Sequence, residues 1–333
     1  MLQQSLAAAA PLRRRTAVAV LGALGLAVAG AARAQFPDRP VKIVVGFGPG
    51  TGSDVQARAL ADVMARELGA PVVVENRPGA AGMLATAAVA AAPPDGYTLV
   101  FGTTTLMLTL PLLSRNARYD AIRDFTPIAT LGKAPFLVLV ANKPGTPASL
   151  KDLLASVKAQ NVSYGSIGNG SFGHLATLRL LQAQGLQAVH VPYKSSPQEL
   201  QDLAAGNLHF VIDSAPAGLP LVRNGLLRAL AVTSTTRLPS LPDVPTVAEA
   251  LGAEFEHTVW TGLLAPANTP PAVVARLSAA AARALQNPEV QQRYARMELQ
   301  PFALDAAGFA DYLRREQPAW KAFLSRNDIK VDD

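Results

Sequence analysis

No cysteine occurs in the 333 residues, which excludes disulfides, thiol catalysis and cysteine-based metal sites. Histidine is scarce: His174, His190, His209 and His257 are the four. They form no i,i+4 pair of the kind a helical zinc site uses, so no metal is expected. Charged residues make up only 16% of the chain, and no lysine/arginine stripe interleaves with aromatics, so nucleic-acid binding finds no support. Gly-x-Ser-x-Gly is absent as well. Tyr164 stands where the first glycine around Ser166 would be, against a serine hydrolase.

What is present begins with an address. Arg13, Arg14 and Arg15 give a positive n-region, Thr16 to Gly30 is apolar and uncharged, and Ala32-Arg33-Ala34 supplies small residues for cleavage. Residues 1–34 read as a signal peptide cut near Gln35, by the general or the twin-arginine route, and the expected location is the periplasm. The apolar run is short for a membrane span. Its removal takes four arginines and no acids, leaving 26 basic residues against 24 acidic ones. The basic balance therefore belongs largely to the export signal.

Past Pro40 short apolar runs alternate with amphipathic stretches. Residues 41–45, 72–74, 97–101, 162–164, 189–191, 208–212 and 227–232 read as buried strands. Residues 55–68 read as a helix, with Val55, Ala59 and Val63 in one apolar row and Leu60, Met64 and Leu68 in the next. Such alternation predicts an α/β fold with mostly parallel sheets flanked by helices. Residues 125–140 are long and extended, and their two prolines argue against helix. They read as a crossing between two lobes, with residues 255–266 as the return. One lobe is then 36–131 plus 260–333, the other 134–257, with the ligand cleft between them. C-terminal helices are expected at 271–285, 289–296 and 305–327. The alternative is one doubly wound domain.

Two segments repeat one design: an apolar strand, a glycine-rich turn and a helix opening on a hydroxyl residue. The first runs Val41 to Asp54 and carries Gly50, Thr51, Gly52 and Ser53; the second runs Val162 to Ser171 and carries Ser166, Asn169, Gly170 and Ser171. Glycine allows close approach to the backbone, and a helix N-terminus offers free N–H groups and a positive dipole end. Two such loops across a cleft suit a receptor for a small anion better than an enzyme. Thr51 or Ser53 is expected to cap the first helix, and Asp54 to brace the loop, since a second carboxylate would repel an acid. Thr103 and Thr104 end a strand where crevice ligands bind. Asp213 ends another, either accepting from a ligand amine or capping the next helix. Arg77 lies in a turn, and Trp260 either lines the cleft or wedges the hinge.

The blocks FPDRPVKIVVGFGPGTGSDVQAR, VVVENRPGAAG, DGYTLVFGTT, YGSIGNGSFGHLA, HVPYK, LRALAVTSTTRLPSLPDVPTVAEA and WTGLLAPANTP resemble those of Bug-type extracytoplasmic solute receptors of tripartite tricarboxylate transporters. The resemblance covers nearly all of the chain beyond the signal. It implies a two-lobed periplasmic binding protein of the type II kind, joined by two crossing strands. It further implies a small carboxylate ligand (aromatic acid, dicarboxylate or amino acid), integral-membrane permease subunits as partners, a monomer, and no catalytic residues or cofactor. The carboxylate would be held by loop amides, hydroxyls and bridging water. Two departures stand out. The usual Pro-Gly-Gly-Gly-Thr-Asp is Pro49-Gly-Thr-Gly-Ser-Asp54 here, and Ser195 replaces the glycine after Val-Pro-Tyr-Lys.

Two rival readings differ in class. A ligand sensor for a membrane signalling protein would use the same lobes. A dinucleotide-dependent oxidoreductase would use Gly46-Phe-Gly48-Pro-Gly50 after a strand, with Glu75 ending the next. Thr51 stands where the third glycine belongs, and Pro49 stiffens that loop.

Overall fold

The computed structural model describes residues 36–327. The expected signal peptide and its cleavage point lie outside them. Among the described residues no helix is long and apolar enough to cross a membrane. From Arg39 onward the chain forms one compact unit.

Its first half-sheet is built by β1 (Val41–Val45), α1 (Gly52–Leu68), β2 (Val72–Asn76), a 3-10 turn (Ala80–Gly82), α2 (Met83–Ala90) and β3 (Thr98–Thr103). Strand β1 pairs parallel with β2 on one side and β3 on the other. Its VKIVV sequence is buried at every position but Lys42, as β-branched residues in a central strand should be. Helix α1 buries Leu60, Ala61, Met64 and Leu68 and ends at Gly69 in the left-handed conformation, whose N–H closes the last turn on Ala65 O. Val55 departs from its expected row: it is 41% exposed, because the buried face is carried by Gln56, Ala57 and Leu60.

A π-helical turn (Thr105–Thr109) and α3 (Leu110–Leu113) lead to β4 (Phe125–Ala141), a strand of 17 residues. Proline lacks an N–H, so a central strand with Pro127 and Pro135 needs irregularities. The pairing of β4 shifts register between Pro127 and Ala129 and again between Thr130 and Gly132. Residues 125–135 of β4 pair with β9 (Thr258–Pro266), and residues 136–141 with β7 (Phe210–Ser214) and β8 (Leu227–Val232). The fold is thus a mixed α/β sheet curled into two lobes, with β4 and β9 as the crossing strands.

The second half-sheet adds α4 (Leu150–Ala159), β5 (Ser163–Ser166), α5 (Phe172–Ala183), β6 (Val189–Pro192) and α6 (Ser196–Ala205) before β7, then α7 (Ala215–Arg223) before β8 and α8 (Val247–Leu251) after it. Strand β5 pairs parallel with both β6 and β7. Helices α9 (Pro271–Gln286), α10 (Pro288–Arg296) and α11 (Ala306–Arg326) follow β9. Helix α11 reaches from one lobe to the other. Its start joins the cluster with Trp260 through Phe309, and beyond its end Asn327 bonds to Gln182 of α5. Trp260 is fully buried and packs edge-on to Phe309 and Tyr312. It fills the junction between β9 and α11. Burying an indole of roughly 200 Å² contributes on the order of 5 kcal/mol at this junction as an upper bound.

Candidate functional site

Strand register fixes where the loops lie. Thr103, at the end of β3, sits opposite Thr261 of β9, and Thr261 sits opposite Gly132 of β4. Asp213, at the end of β7, sits opposite Leu137 of the same β4. Strand β3 is antiparallel to β9, which is antiparallel to β4, so β3 points along β4 toward residue 137; β7 points back toward residue 132. The carboxyl edges of the two half-sheets therefore face each other. Five residues of β4 separate their levels, about 17 Å at 3.3 Å per residue.

In each half-sheet the adjacent parallel strands at this edge send their helices to different partners. The chain leaves β1 for β2 and arrives at β3 from β2, while it leaves β5 for β6 and arrives at β7 from β6. These are topological switch points, where open α/β sheets leave a crevice. The loops after β1 and β3 carry Gly50, Thr51, Gly52, Ser53, Thr103 and Thr104. Those after β5 and β7 carry Ser166, Asn169, Gly170, Ser171 and Asp213.

The first loop is held from behind. Asp54 is 3% exposed and accepts from Gly50 N (2.9 Å), Arg58 Nε (3.1 Å) and Asn76 Nδ2 (2.9 Å). Burial alone would raise its pKa, but these donors outweigh burial and hold it below the usual carboxylate value. Asn76 also donates to Phe47 O and accepts from Arg58. Neither expected hydroxyl caps α1: Thr51 holds the cap position, but its side chain donates to Gly48 O at 2.8 Å. The N–H of Gly50 is spent on Asp54. Those of Gly52, Ser53 and Asp54 open α1 with no acceptor among the described residues. Gly46 belongs to the same assembly, since a Cβ there would lie 2.7 Å from Gly82 Cα. Arg77 turns outward, its Nε 2.6 Å from Glu75 Oε1.

The second loop is held by histidines. Gly170 N–H donates to His174 Nδ1 at 3.0 Å. Ser166 Oγ lies 2.7 Å from His190 Nε2, 3.0 Å from Gly168 O and 3.3 Å from Gly168 N. The two imidazoles stack at 4.1 Å with 9° between planes. Burial, and then the neighbouring His190, lower the His174 pKa to about 4; burial also lowers that of His190. Both rings are neutral near pH 7. Ser171 caps α5, accepting from His174 N at 3.4 Å. The N–H groups of Phe172 and Gly173, in the first turn of α5, have no acceptor among the described residues. Asn169 is exposed.

Thr103 Oγ1 accepts from Leu106 N, and Thr104 Oγ1 from Trp260 N; each hydroxyl retains its own proton to donate. Asp213 Oδ1 accepts from Ser214 N at 2.6 Å. Its other oxygen is buried beside Glu199 of α6, 1% exposed, whose Oε2 is equally buried. Burial, and then the Asp213 carboxylate to which it hydrogen-bonds, push Glu199 up to about 9. Glu199 is therefore protonated at neutral pH. Four backbone donors assigned from the sequence, the N–H groups of Gly50, Thr51, Gly170 and Ser171, are thus engaged within the protein, with Asp54, Gly48 O, His174 and Gly168 O. Asn76, His190 and Glu199 are the contributors that sequence reasoning missed.

The model of the tripartite tricarboxylate transporter family receptor matches residues 56–329. Protein BugT of Bordetella pertussis is 34% identical over 299 residues, covering 89% of this chain and 91% of its own. Among solved structures, R. palustris Rpa4515 with adipate superposes with a TM-score of 0.74 at 32% identity, covering 89% of this chain and 99% of that one. MatC (Rpa3494) from Rhodopseudomonas palustris with bound malate gives 0.69 at 32%, covering 87% and 100%.

Proposed function

We propose, from the premise that this chain belongs to the tripartite tricarboxylate transporter receptor family, that it is a periplasmic receptor that captures a small carboxylate and delivers it to a membrane permease. Members of this family are solute-binding proteins. The observation that carries the reading is the meeting of two carboxyl edges along β4, between the levels of Gly132 and Leu137. Each edge presents a switch-point crevice and a helix N-terminus with unspent N–H groups, the arrangement that suits an anion.

The carboxylate is received by Gly52 and Ser53 N–H on one side and by the first turn of α5 on the other, with Thr103, Thr104 and Asn169 adding donors and water completing the shell. Gly50, Thr51, Ser166, Gly170, Ser171 and Asp213 shape these loops and line the approach. Lobe 1 is residues 36–131 with 260–333, and lobe 2 residues 134–257. Two structural neighbours hold adipate and malate, which supports a dicarboxylate among the acids open to this chain. The Arg13–Arg15 and Thr16–Gly30 pattern supports export with cleavage near Gln35.

A thermal-shift screen of the mature chain tests this with malate, adipate, benzoate and aspartate. A ligand at about 100 times its dissociation constant adds about 2.7 kcal/mol of stability. No shift with any small carboxylate, on protein shown to be folded, would overturn the reading.

A further inference from the structure

Beside β4 and β9 lies a cavity of about 960 Å³ that shares Thr104 with the edge of the cleft but includes none of the glycine-rich loop residues. Its walls come from both lobes: Arg179 on α5 and residues 254–258 from one side, α11 and Phe302 from the other. A volume of that size is ample for a small organic molecule.

The charges in it are mostly spent. Lys133 is bonded to Glu256 and sits 4.4 Å from the Phe302 ring. Asp311 is paired with Arg314, and Arg315 lies 3.7 Å from Glu316. Arg179 differs. Among the described residues no carboxylate lies within ion-pair distance of it, and its nearest polar partner is His257 Nδ1 at 3.4 Å. That ring gives it an acceptor and no charge. His257 Nε2 lies 3.1 Å from Phe172 O and donates to it, and burial holds the imidazole neutral. The Arg179 guanidinium rests beside the rings of Trp320 and Phe323, 5.7 and 5.9 Å from their centroids. Tyr312 adds a hydroxyl with no protein acceptor among the described residues.

We infer that this cavity is a second binding site, for a flat organic anion whose carboxylate or sulfonate meets Arg179 and Tyr312 and whose ring lies against Trp320. Glu316 and Glu256 act on Arg179 only from beyond ion-pair distance, so this half-buried guanidinium keeps donors that an incoming anion can satisfy, and its planar fork matches a carboxylate. Trp320 and Phe302 supply the apolar surface that selects an aromatic body over a small hydrated ion. An occupant touches α5 and α11 together, so it biases the angle between the lobes and, by linkage, the affinity of the front cleft. That coupling, unlike the binding, rests on the cleft being the receptor site. Thr104 gives it a path, since this residue lines the cavity and accepts from Trp260 of β9.

The test is calorimetric titration of the mature chain with 2-naphthoate, repeated on Arg179→Met, Trp320→Phe and Gly52→Val after each is shown by circular dichroism to melt cooperatively. Arg179→Met keeps the packing volume and is expected to weaken naphthoate at least tenfold, with Trp320→Phe weaker than wild type. Gly52→Val, in the front loop, is expected to leave this affinity unchanged. A Trp260→Phe chain leaves Trp320 as the sole tryptophan, and its emission should change with the same saturation curve. Naphthoate that fails to bind, or that Gly52→Val abolishes while Arg179→Met spares, overturns the inference. Loss of adipate or malate binding in Gly52→Val reports separately on the cleft.

Discussion

Gly170 N–H donates to Nδ1 of His174 across 3.0 Å, four residues apart, while the same ring stacks on His190. This bond fixes Nδ1 as an unprotonated acceptor, so the second loop keeps its shape only while the imidazole is neutral. The folded pKa of His174, about 4, lies below its unfolded value of 6.5. A depressed pKa contributes stability that is fully present above about 6.5 and is lost as pH falls toward 4. Glu199 shifts wild type and variant alike in the opposite direction. Urea denaturation should therefore read the His174 contribution as a difference between wild type and His174→Gln that changes by on the order of 2 kcal/mol between pH 7 and pH 4.5. His174→Gln should lose visibly less over that window. An equal acid loss in both proteins would remove the histidine from the account.

Glu199 gives the opposite slope. Its folded pKa, about 9, lies above the ordinary 4.5 because burial and Asp213 keep it protonated. Its contribution is greatest below 4.5 and declines as pH rises toward 9. Glu199→Gln preserves an N–H donor toward Asp213 and removes the titration. The variant is therefore expected to be more stable than wild type at pH 8 by about 1–3 kcal/mol, with a flatter profile from pH 5 to 9. Thermal melts across that range decide it; a variant less stable than wild type at pH 8 would mean that Glu199 is not held protonated in the folded protein.

Much of this was legible in the chain and some was not, for identifiable reasons. The strands at 41–45 and 227–232 and the extended run through Pro127 and Pro135 could be read because periodicity and proline chemistry are local. The Asp54–Arg58 pair lies one helical turn apart and is local too. Asn76 is 22 residues from Asp54, and only the parallel register that sets Val45 opposite Asn76 brings it behind the loop. His190 meets Ser166 for a similar reason, since β6 lies beside β5. Glu199 and Asp202 look equivalent in Ser-Pro-Gln-Glu-Leu-Gln-Asp, yet one is buried against Asp213 and the other bonds to the Tyr193 hydroxyl at 2.8 Å. Helix capping also misled. Thr51 has the right chemistry and place, but the turn at Pro49-Gly50 sends its hydroxyl to Gly48 O.

Asp54 joins three donors that otherwise have no common partner. Asp54→Ala leaves Gly50 N–H and Asn76 Nδ2 without it and frees Arg58, so the first loop should loosen. Hydrogen bonds to a charged group contribute about 1.5–3 kcal/mol each, and their loss here should cost about 2–4 kcal/mol of stability. Carboxylate affinity should fall with it, and Asn76→Ala should reproduce a smaller part of both effects. Chemical denaturation and calorimetry on the same samples measure the two quantities. Normal affinity in Asp54→Ala would show that the loop's shape does not matter for binding.

The sharpest division is between the helix end at Gly52 and Arg77, the cation in the turn that follows β2. Gly52 occupies the first helical position, where a side chain is unstrained, and a Cβ there would meet only Met297 Cε at 3.7 Å. Gly52→Val should therefore fold while placing two methyl groups over the N–H groups of α1. Gly170 is a poorer choice, because its φ of 71° penalises any side chain whether or not a ligand approaches. Arg77 has a side chain 48% exposed and is paired with Glu75 on the surface, so its removal touches no loop donor. If backbone N–H groups hold the acid, Gly52→Val should weaken adipate or malate binding by about 2 kcal/mol or more, some thirtyfold. Arg77→Ala should stay within about threefold, the small effect of losing an exposed charge. Calorimetry on folded variants reads both. The reverse pattern, with Arg77→Ala abolishing binding and Gly52→Val sparing it, would replace the helix-end cradle with an ion pair as the means of holding the carboxylate.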